Sequence, residues 1–412
     1  MQLRRWPGAA LLASLLGLSA PGRAQVAEVD LRTQIFHEPS AQSRMTVYTP
    51  EVNVEASPSE AVRVFASYQA DAVTGASEAV KAGPLSSNIP DIVSRASVRD
   101  FRQIATGGVA LTREHTRVSA SYTYGTENDY RSNSFSVSAG TDFLQRNTDV
   151  EIGYSKGFDD VCSLRQQNLP TTLRLGLDSS DGCFTSSERT ESLPISLDNF
   201  RVGWTQTWTP VFTTQLIFTG ALQHGFLGNP YREVVISSAG ERAQENHPDD
   251  RRRAALGLGL KYYSRNLETA FGMTARGYRD SWELQSFTAE LTAERYLQPW
   301  LRLFVHGRAY AQSGASFWSD DYTGGEPETG PRGQFWSGDR EMSPLQTLLA
   351  GMTLTGNWRA AGDARWVGVF RELSAGVSMD LLATFLEDFT WAGVKPDDTV
   401  VLLPSLAATG SF

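Results

Sequence analysis

Leu301-Arg302-Leu303-Phe304-Val305-His306-Gly307-Arg308-Ala309-Tyr310-Ala311 alternates along its whole length. Leu301, Leu303, Val305, Gly307, Ala309 and Ala311 fall on one face of an extended chain. Arg302, Phe304, His306, Arg308 and Tyr310 fall on the other. Successive side chains of a strand point to opposite faces, so this period of two predicts a strand with an apolar side suited to lipid. The pattern recurs from Val26 to Phe412 and predicts about sixteen strands, within a range of about 14–18.

The connections between these segments fall into two classes. Short turns are predicted at Ser57-Pro58-Ser59, Glu114-His115, Leu144–Asn147, Thr209-Pro210, Ser264–Asn266 and Gln298-Pro299. Long connections, rich in Gly, Pro, Asn, Asp and Ser, cover 74–101, 159–194, 224–251 and 313–343. All long loops then lie on one side and both termini on the other, as in an up-and-down barrel with short periplasmic turns. The fold class expected is all-β, a transmembrane antiparallel β-barrel over residues 25–412.

The first 24 residues read as a secretory signal. Arg4 and Arg5 give the positive start, Ala9 to Ala20 the apolar stretch, and Gly22-Arg23-Ala24 small residues before a cut ahead of Gln25. That apolar stretch falls short of the roughly 20 residues a spanning helix needs. Mean hydropathy is −0.29. A barrel accounts for both observations, because only alternate strand residues meet lipid and a membrane chain without helices must close its sheet.

The net charge of −9 argues against a nucleic-acid partner, which would favour a basic face. Among 10 Trp and 13 Tyr, Trp204, Trp208, Trp282, Trp300, Trp358 and Trp366 sit at predicted strand ends and suggest interfacial girdles. The two cysteines, Cys162 and Cys183, fall in one predicted loop of an exported chain and are expected to form a disulfide. No neighbouring His or third Cys completes a metal site around them. The last segment presents Val400, Leu402, Pro404, Leu406, Ala408, Gly410 and Phe412 on one face. A terminal aromatic on such a face is similar to the signal read by the bacterial barrel-assembly machinery, so that machinery is an expected partner through Phe412.

Facing places Arg63, Ser67, Gln69 and Asp71 toward the lumen, with Glu268, Thr274, Arg276 and Asp280 from a later strand. Glu290 and Glu294 then face Arg302, His306 and Arg308. This mixture fits either a conduit with a transverse field for hydrated solutes or a network of pairs that blocks the barrel. None of the five histidines lies in a recognisable Ser–His or paired-Asp arrangement, so no catalytic residue is expected. Acidic loop clusters such as Asp320-Asp321 with Glu326 and Glu328, or Asp249-Asp250, lack the spacing of a calcium loop. No nucleotide, phosphate or haem motif is present, and no cofactor is expected.

Several strings carry a resemblance. They include Asp71-Ala-Val-Thr-Gly-Ala-Ser77, Ile92-Val-Ser-Arg-Ala-Ser97, Arg99-Asp100, Tyr124–Tyr130, Gly225-Phe-Leu-Gly-Asn-Pro-Tyr-Arg232, Gly277–Trp282 and Asp339–Leu345. Together they resemble a family of Gram-negative outer-membrane proteins catalogued only as a domain of unknown function. The resemblance implies an outer-membrane barrel and links to export systems or extracytoplasmic redox genes, hence a periplasmic export or redox partner. It implies no substrate.

Asp71, Gly75, Arg95, Arg99, Asp100, Glu127, Asp129, Asn229, Arg232, Arg279 and Asp280 all fall at the outer rim under this topology. They form either a solute site or Arg–Asp ties that hold long loops over the mouth. The leading functional expectation is a porin-like channel for polar solutes or an exported polymer. The alternatives are a closed barrel anchoring an envelope partner and, least supported, a hydrolase at the rim.

Overall fold

The apolar–polar alternation sets how this chain closes on itself. A computed structural model describes residues 26–39, 44–74, 81–82, 91–94, 99–178, 183–184, 189–237, 239–322, 333–360, 366, 369–390 and 399–411. The proposed signal segment, Gly75, Arg95, Glu326, Glu328 and Phe412 lie outside the described residues.

The chain opens with β1 (Val26–Pro39), β2 (Arg44–Ser59) and β3 (Val62–Thr74), then two short strands, β4 (Lys81–Ala82) and β5 (Ile92–Ser94). The wall resumes with β6 (Arg99–Arg113), β7 (Thr116–Thr126), β8 (Tyr130–Phe143) and β9 (Thr148–Leu164). It continues with β10 (Thr190–Thr209) and β11 (Phe212–Gly225), and the short β12 (Arg232–Val235) and β13 (Arg242–Gln244) interrupt it again. Then come β14 (Asp250–Ser264), β15 (Thr269–Asp280), β16 (Gln285–Gln298) and β17 (Leu301–Gln312). Last are β18 (Leu345–Arg359), β19 (Glu372–Leu386) and β20 (Thr399–Ser411).

The sixteen long strands form one closed barrel in sequence order, sealed where β1 pairs antiparallel with β20. Closure satisfies every ladder without leaving an edge, which a lipid environment demands. The register sorts faces cleanly. His306 faces Gly351, and Gly351 faces Asp380, so these three share the inner surface. Outward lie Leu291, 63% exposed, and Leu406, 60% exposed, with Phe287, Val305, Leu348 and Val377. The exposed outside is therefore the apolar surface, the inverse of a water-soluble protein and the arrangement lipid requires.

Aromatic and polar groups bound this belt. At the short-turn end Trp300 stacks on Trp358 with ring centroids 6.3 Å apart. Toward the loop end the outer face carries polar pairs, with Tyr122 donating to Asn133 at 2.6 Å and Lys156 paired to Asp198 at 2.7 Å. Aromatic and snorkelling groups of this kind mark the interfaces.

Trp282 departs from the girdle expectation. It is buried, donates through Nε1 to the Asp250 carbonyl at 3.1 Å and is covered by Arg251, 4.0 Å from its ring centre. Glu268 lies in the turn before β15, at φ 49°, and not on the strand, because that turn needs left-handed residues.

The long connections are not merely loops. β9 and β10 extend beyond their expected ends, so Cys162 sits on β9 and only Cys183 lies in the connection; the two are disulfide-bonded, with Cα atoms 5.8 Å apart. More far-reaching, β4, β5, β12 and β13 pair into a separate four-stranded sheet in the order β13-β12-β5-β4. Ile92, Val234, Val235, Tyr322, Trp336 and Phe389 bury one another against it. Among the described residues the buried apolar cluster thus lies in a cap built from loops, since a lumen-lined barrel has no interior of its own to fill.

Candidate functional site

The cap draws on connections from all around the rim. Ile92 comes from the β3–β6 connection, Val234 and Val235 from β11–β14, Tyr322 and Trp336 from β17–β18, and Phe389 from β19–β20. The Tyr322 N–H donates to Asp91 at 2.5 Å, and Trp336 Nε1 donates to the Gln244 carbonyl at 3.1 Å. The β9–β10 connection joins through Leu177, whose N–H donates to the Pro230 carbonyl at 2.7 Å. Thr390 N–H donates to Asp320 at 2.8 Å, so that acid serves as a tie between loops.

Polar side chains lock the centre of this cap. Arg232 contacts Asp339 at 2.9 Å and Glu245 at 3.4 Å. The fully buried Glu245 carboxylate also accepts from Ser337 Oγ at 3.1 Å and Gly338 N–H at 2.7 Å. Of the two readings of the rim residues, Arg232 fits the loop tie.

Beneath the cap, a cavity of ≈ 580 Å³ separates it from the inner wall. Arg102, Arg251, Arg253, Glu127, Asp129 and Asp339 supply charge around it. Glu127 pairs with Arg102 at 3.3 Å. Burial pushes its carboxyl up to about 7, with Arg102 opposing and the neighbouring Asp100 and Asp129 reinforcing the shift. Burial also raises Asp129, which is hydrogen-bonded to Tyr231 of the cap. Asp100 accepts from the Phe101 N–H at 2.7 Å and from Asn128 at 3.0 Å. The oxygens of Asp100, Glu127 and Asp129 come within 4.8 Å of one another, and proximity of acids alone assigns no ion.

The remaining rim candidates separate. Asp280 is buried and accepts from Arg251 Nε at 2.8 Å, Tyr278 at 2.8 Å, Trp282 N–H at 3.0 Å and Leu284 N–H at 3.1 Å. It fastens the β15–β16 turn. Arg279 faces outward, opposite Ala254, and so leaves the rim site expected for it. Arg99 places its backbone on β6 opposite Thr74; its side chain lies outside the described residues.

Deeper in the lumen, pairs dominate on most of the wall. Arg117 forms a bidentate contact with Asp149 at 2.7 and 2.8 Å. Arg302 meets Glu294 at 3.2 Å, and Asp71 accepts from Thr49 at 2.7 Å. His306 Nε2 lies 2.9 Å from Asp380 Oδ1, a partner 74 positions away that sequence spacing did not signal. Arg308 stands opposite Glu290 in register without an ion pair among the described residues.

On β1–β3 the inner face carries Glu28, Asp30, Glu51, Glu55 and Asp71, with Arg32 held by Asp30 at 2.8 Å and Arg63 by Glu55 at 3.2 Å. Half a turn around the barrel, β14 and β15 present Arg251, Arg253, Lys261 and Arg276 against the single acid Asp280. Arg253 lines the cavity beneath the cap and also a second cavity, ≈ 520 Å³, lined by Arg276, Arg201 and Tyr278.

A closed sixteen-stranded wall, apolar outside and charged within, defines a transmembrane β-barrel protein. The chain belongs to the family described as Protein of unknown function (DUF3570), which it matches over residues 10–365. Among curated proteins none matches the sequence. Three solved structures are similar at low identity. A bacterial polysaccharide outer membrane secretin is 9% identical at a TM-score of 0.48, covering 94% of this chain and 98% of that one. The siderophore receptor PirA from Acinetobacter baumannii is 9% identical at 0.43, covering 87% of this chain, which spans only 52% of the receptor. A deltaS2 mutant of the TodX monoaromatic hydrocarbon channel is 10% identical at 0.39, covering 94% and 90%.

Proposed function

We propose that this protein is a gated channel for polar solutes in the outer membrane of a Gram-negative cell, reached through its signal segment and inserted by the barrel-assembly machinery. The observation that carries the reading is the opposition of charge across the lumen. Acidic β1–β3 faces basic β14–β15, with Arg253, Lys261 and Arg276 making no ion pair among the described residues. Opposed walls of this kind orient a hydrated solute, and a barrel of sixteen strands is wide enough for an aqueous path. A blocked barrel would gain from pairing those cations, and buried charges left unpaired in a dry lumen would be costly.

The cap supplies the gate. Because its core joins connections from around the rim, it bridges the mouth, and solute must pass its edge or displace it. No energy source is proposed, so direction would come from a gradient or a periplasmic export partner. No catalytic role is proposed.

Single-channel conductance of the mature protein in a planar bilayer tests this, repeated after deletion of 75–98, which removes Asp91 and Ile92 from the cap. Steady steps in the intact protein, or steps that appear only after deletion, support an open or a capped channel. Silence in both, with insertion confirmed, sinks the channel. The bridged mouth would then favour a closed barrel anchoring an envelope export or redox partner.

A further inference from the structure

Most inner-wall arginines already hold a carboxylate; of those that make no ion pair among the described residues, Arg253 and Arg276 share a cavity, and Arg308 stands apart from it on β17. We propose that the β10–β15 wall is a binding site for an anionic, hydroxyl-rich solute, an acidic saccharide whose carboxylate meets Arg253 and Arg276. This rests on the reading of the lumen as a solute path and names the class of solute.

Within the ≈ 520 Å³ cavity, Arg201, Arg253 and Arg276 face one acid, Glu151. That acid is already held by Arg117 at 3.6 Å and lies only at the limit of Arg201, 4.0 Å away. Arg253 Nε is buried without a hydrogen-bond partner, and a buried guanidinium N–H left unmade favours whatever acceptor can reach it. Arg276 forms no ion pair among the described residues and is exposed to the lumen. Two guanidinium groups on adjacent strands offer the planar, forked donors that match a carboxylate.

The rest of the cavity suits sugar hydroxyls. Ser136 and Ser155 line it beside Asn199, whose Nδ2 donates to Ser155 Oγ at 3.2 Å. Gly153, Ala221 and Ala255 keep the floor low, which lets a ring approach the wall. The volume falls within the roughly 300–1,000 Å³ typical of small-molecule sites.

Isothermal titration of the full-length protein in detergent, with a galacturonate trimer as probe, tests the site. Maltotriose supplies the neutral comparison and inorganic phosphate the anion without hydroxyls. Saturable binding of the galacturonate trimer, weakened about 10- to 100-fold by Arg276→Gln and less by Arg276→Lys, is the expected result. Outward-facing Arg295→Gln leaves it unchanged. Equal binding of maltotriose overturns the role of the arginines, equal binding of phosphate overturns the role of the hydroxyls, and no binding of the trimer overturns the site. Binding without conductance would sink the channel reading and leave this site standing; conductance without binding would do the reverse.

Discussion

His306 and Asp380 meet at 2.9 Å across the intervening strand β18, and they can do so because the residue between them is Gly351. A Cβ at that position would strike both the Asp380 carboxylate and the His306 ring. One missing side chain thus sets a polar contact between strands that are not neighbours.

Gly351→Ala should separate the pair and cost about 1–3 kcal/mol through overpacking and a lost hydrogen bond. Gly307→Ala is its control, since a Cβ there meets only the Leu349 carbonyl at an ordinary 3.9 Å. Thermal unfolding in detergent, followed by circular dichroism, should show a lower midpoint for the first and no change for the second. Equal midpoints would mean that the pair contributes nothing to the wall.

Replacing Arg232 with Ala should release the cap while leaving the barrel closed. Glu245 and Asp339 would remain buried without their cation, at a cost of about 3–5 kcal/mol. Limited proteolysis should then cut the β11–β14 and β17–β18 connections rapidly, with the strands still protected. A cap as resistant as that of the parent would show that the apolar core alone holds it.

The Cys162–Cys183 bond ties β9 to the connection that reaches Pro230 of the cap. Its removal by paired Ser substitutions frees a span of 21 positions, worth about 3 kcal/mol in the chain-entropy account. The expected result is faster cleavage between β9 and β10 and an unaltered barrel. Proteolysis patterns of the oxidised protein and the double variant, run side by side, check it.

Glu127 predicts a pH dependence with a definite sign. Burial raises its carboxyl from 4.5 to about 7, so between those values the folded protein holds a proton that the unfolded chain has lost. Stability from this group is therefore present at about pH 4.5 and below, declines as pH rises through about 7, and stays lost above it. Melting temperatures across this window should fall with rising pH, and Glu127→Gln should flatten the slope. A parent slope unchanged by that substitution would assign the dependence to another group.

The barrel was legible because alternation is local: each strand carries its own period, and turn length fixes sidedness without knowledge of partners. Its sixteen strands follow from sequence for that reason. The cap was not legible. β5 and β12 are three and four residues long, too short to show a period, and they pair across more than a hundred positions, Ile92 with Val234. Trp282 illustrates the same limit, since a tryptophan at a strand end fits a girdle equally well until Arg251 is seen covering it. Arg232 was singled out among the rim residues, but its partner Asp339 belongs to another loop and only the fold brings them together.

Phe389 is the last contributor to the cap core, and it stands in the connection just before the closing strand β20. The core cannot be completed until all but one strand of the wall has been delivered. Until then Ile92, Val234 and Val235 present an apolar face with one wall missing. Completion of the cap is thus tied to completion of the wall: a chain cut after β18 would lack Phe389 and leave that apolar face uncovered on one side.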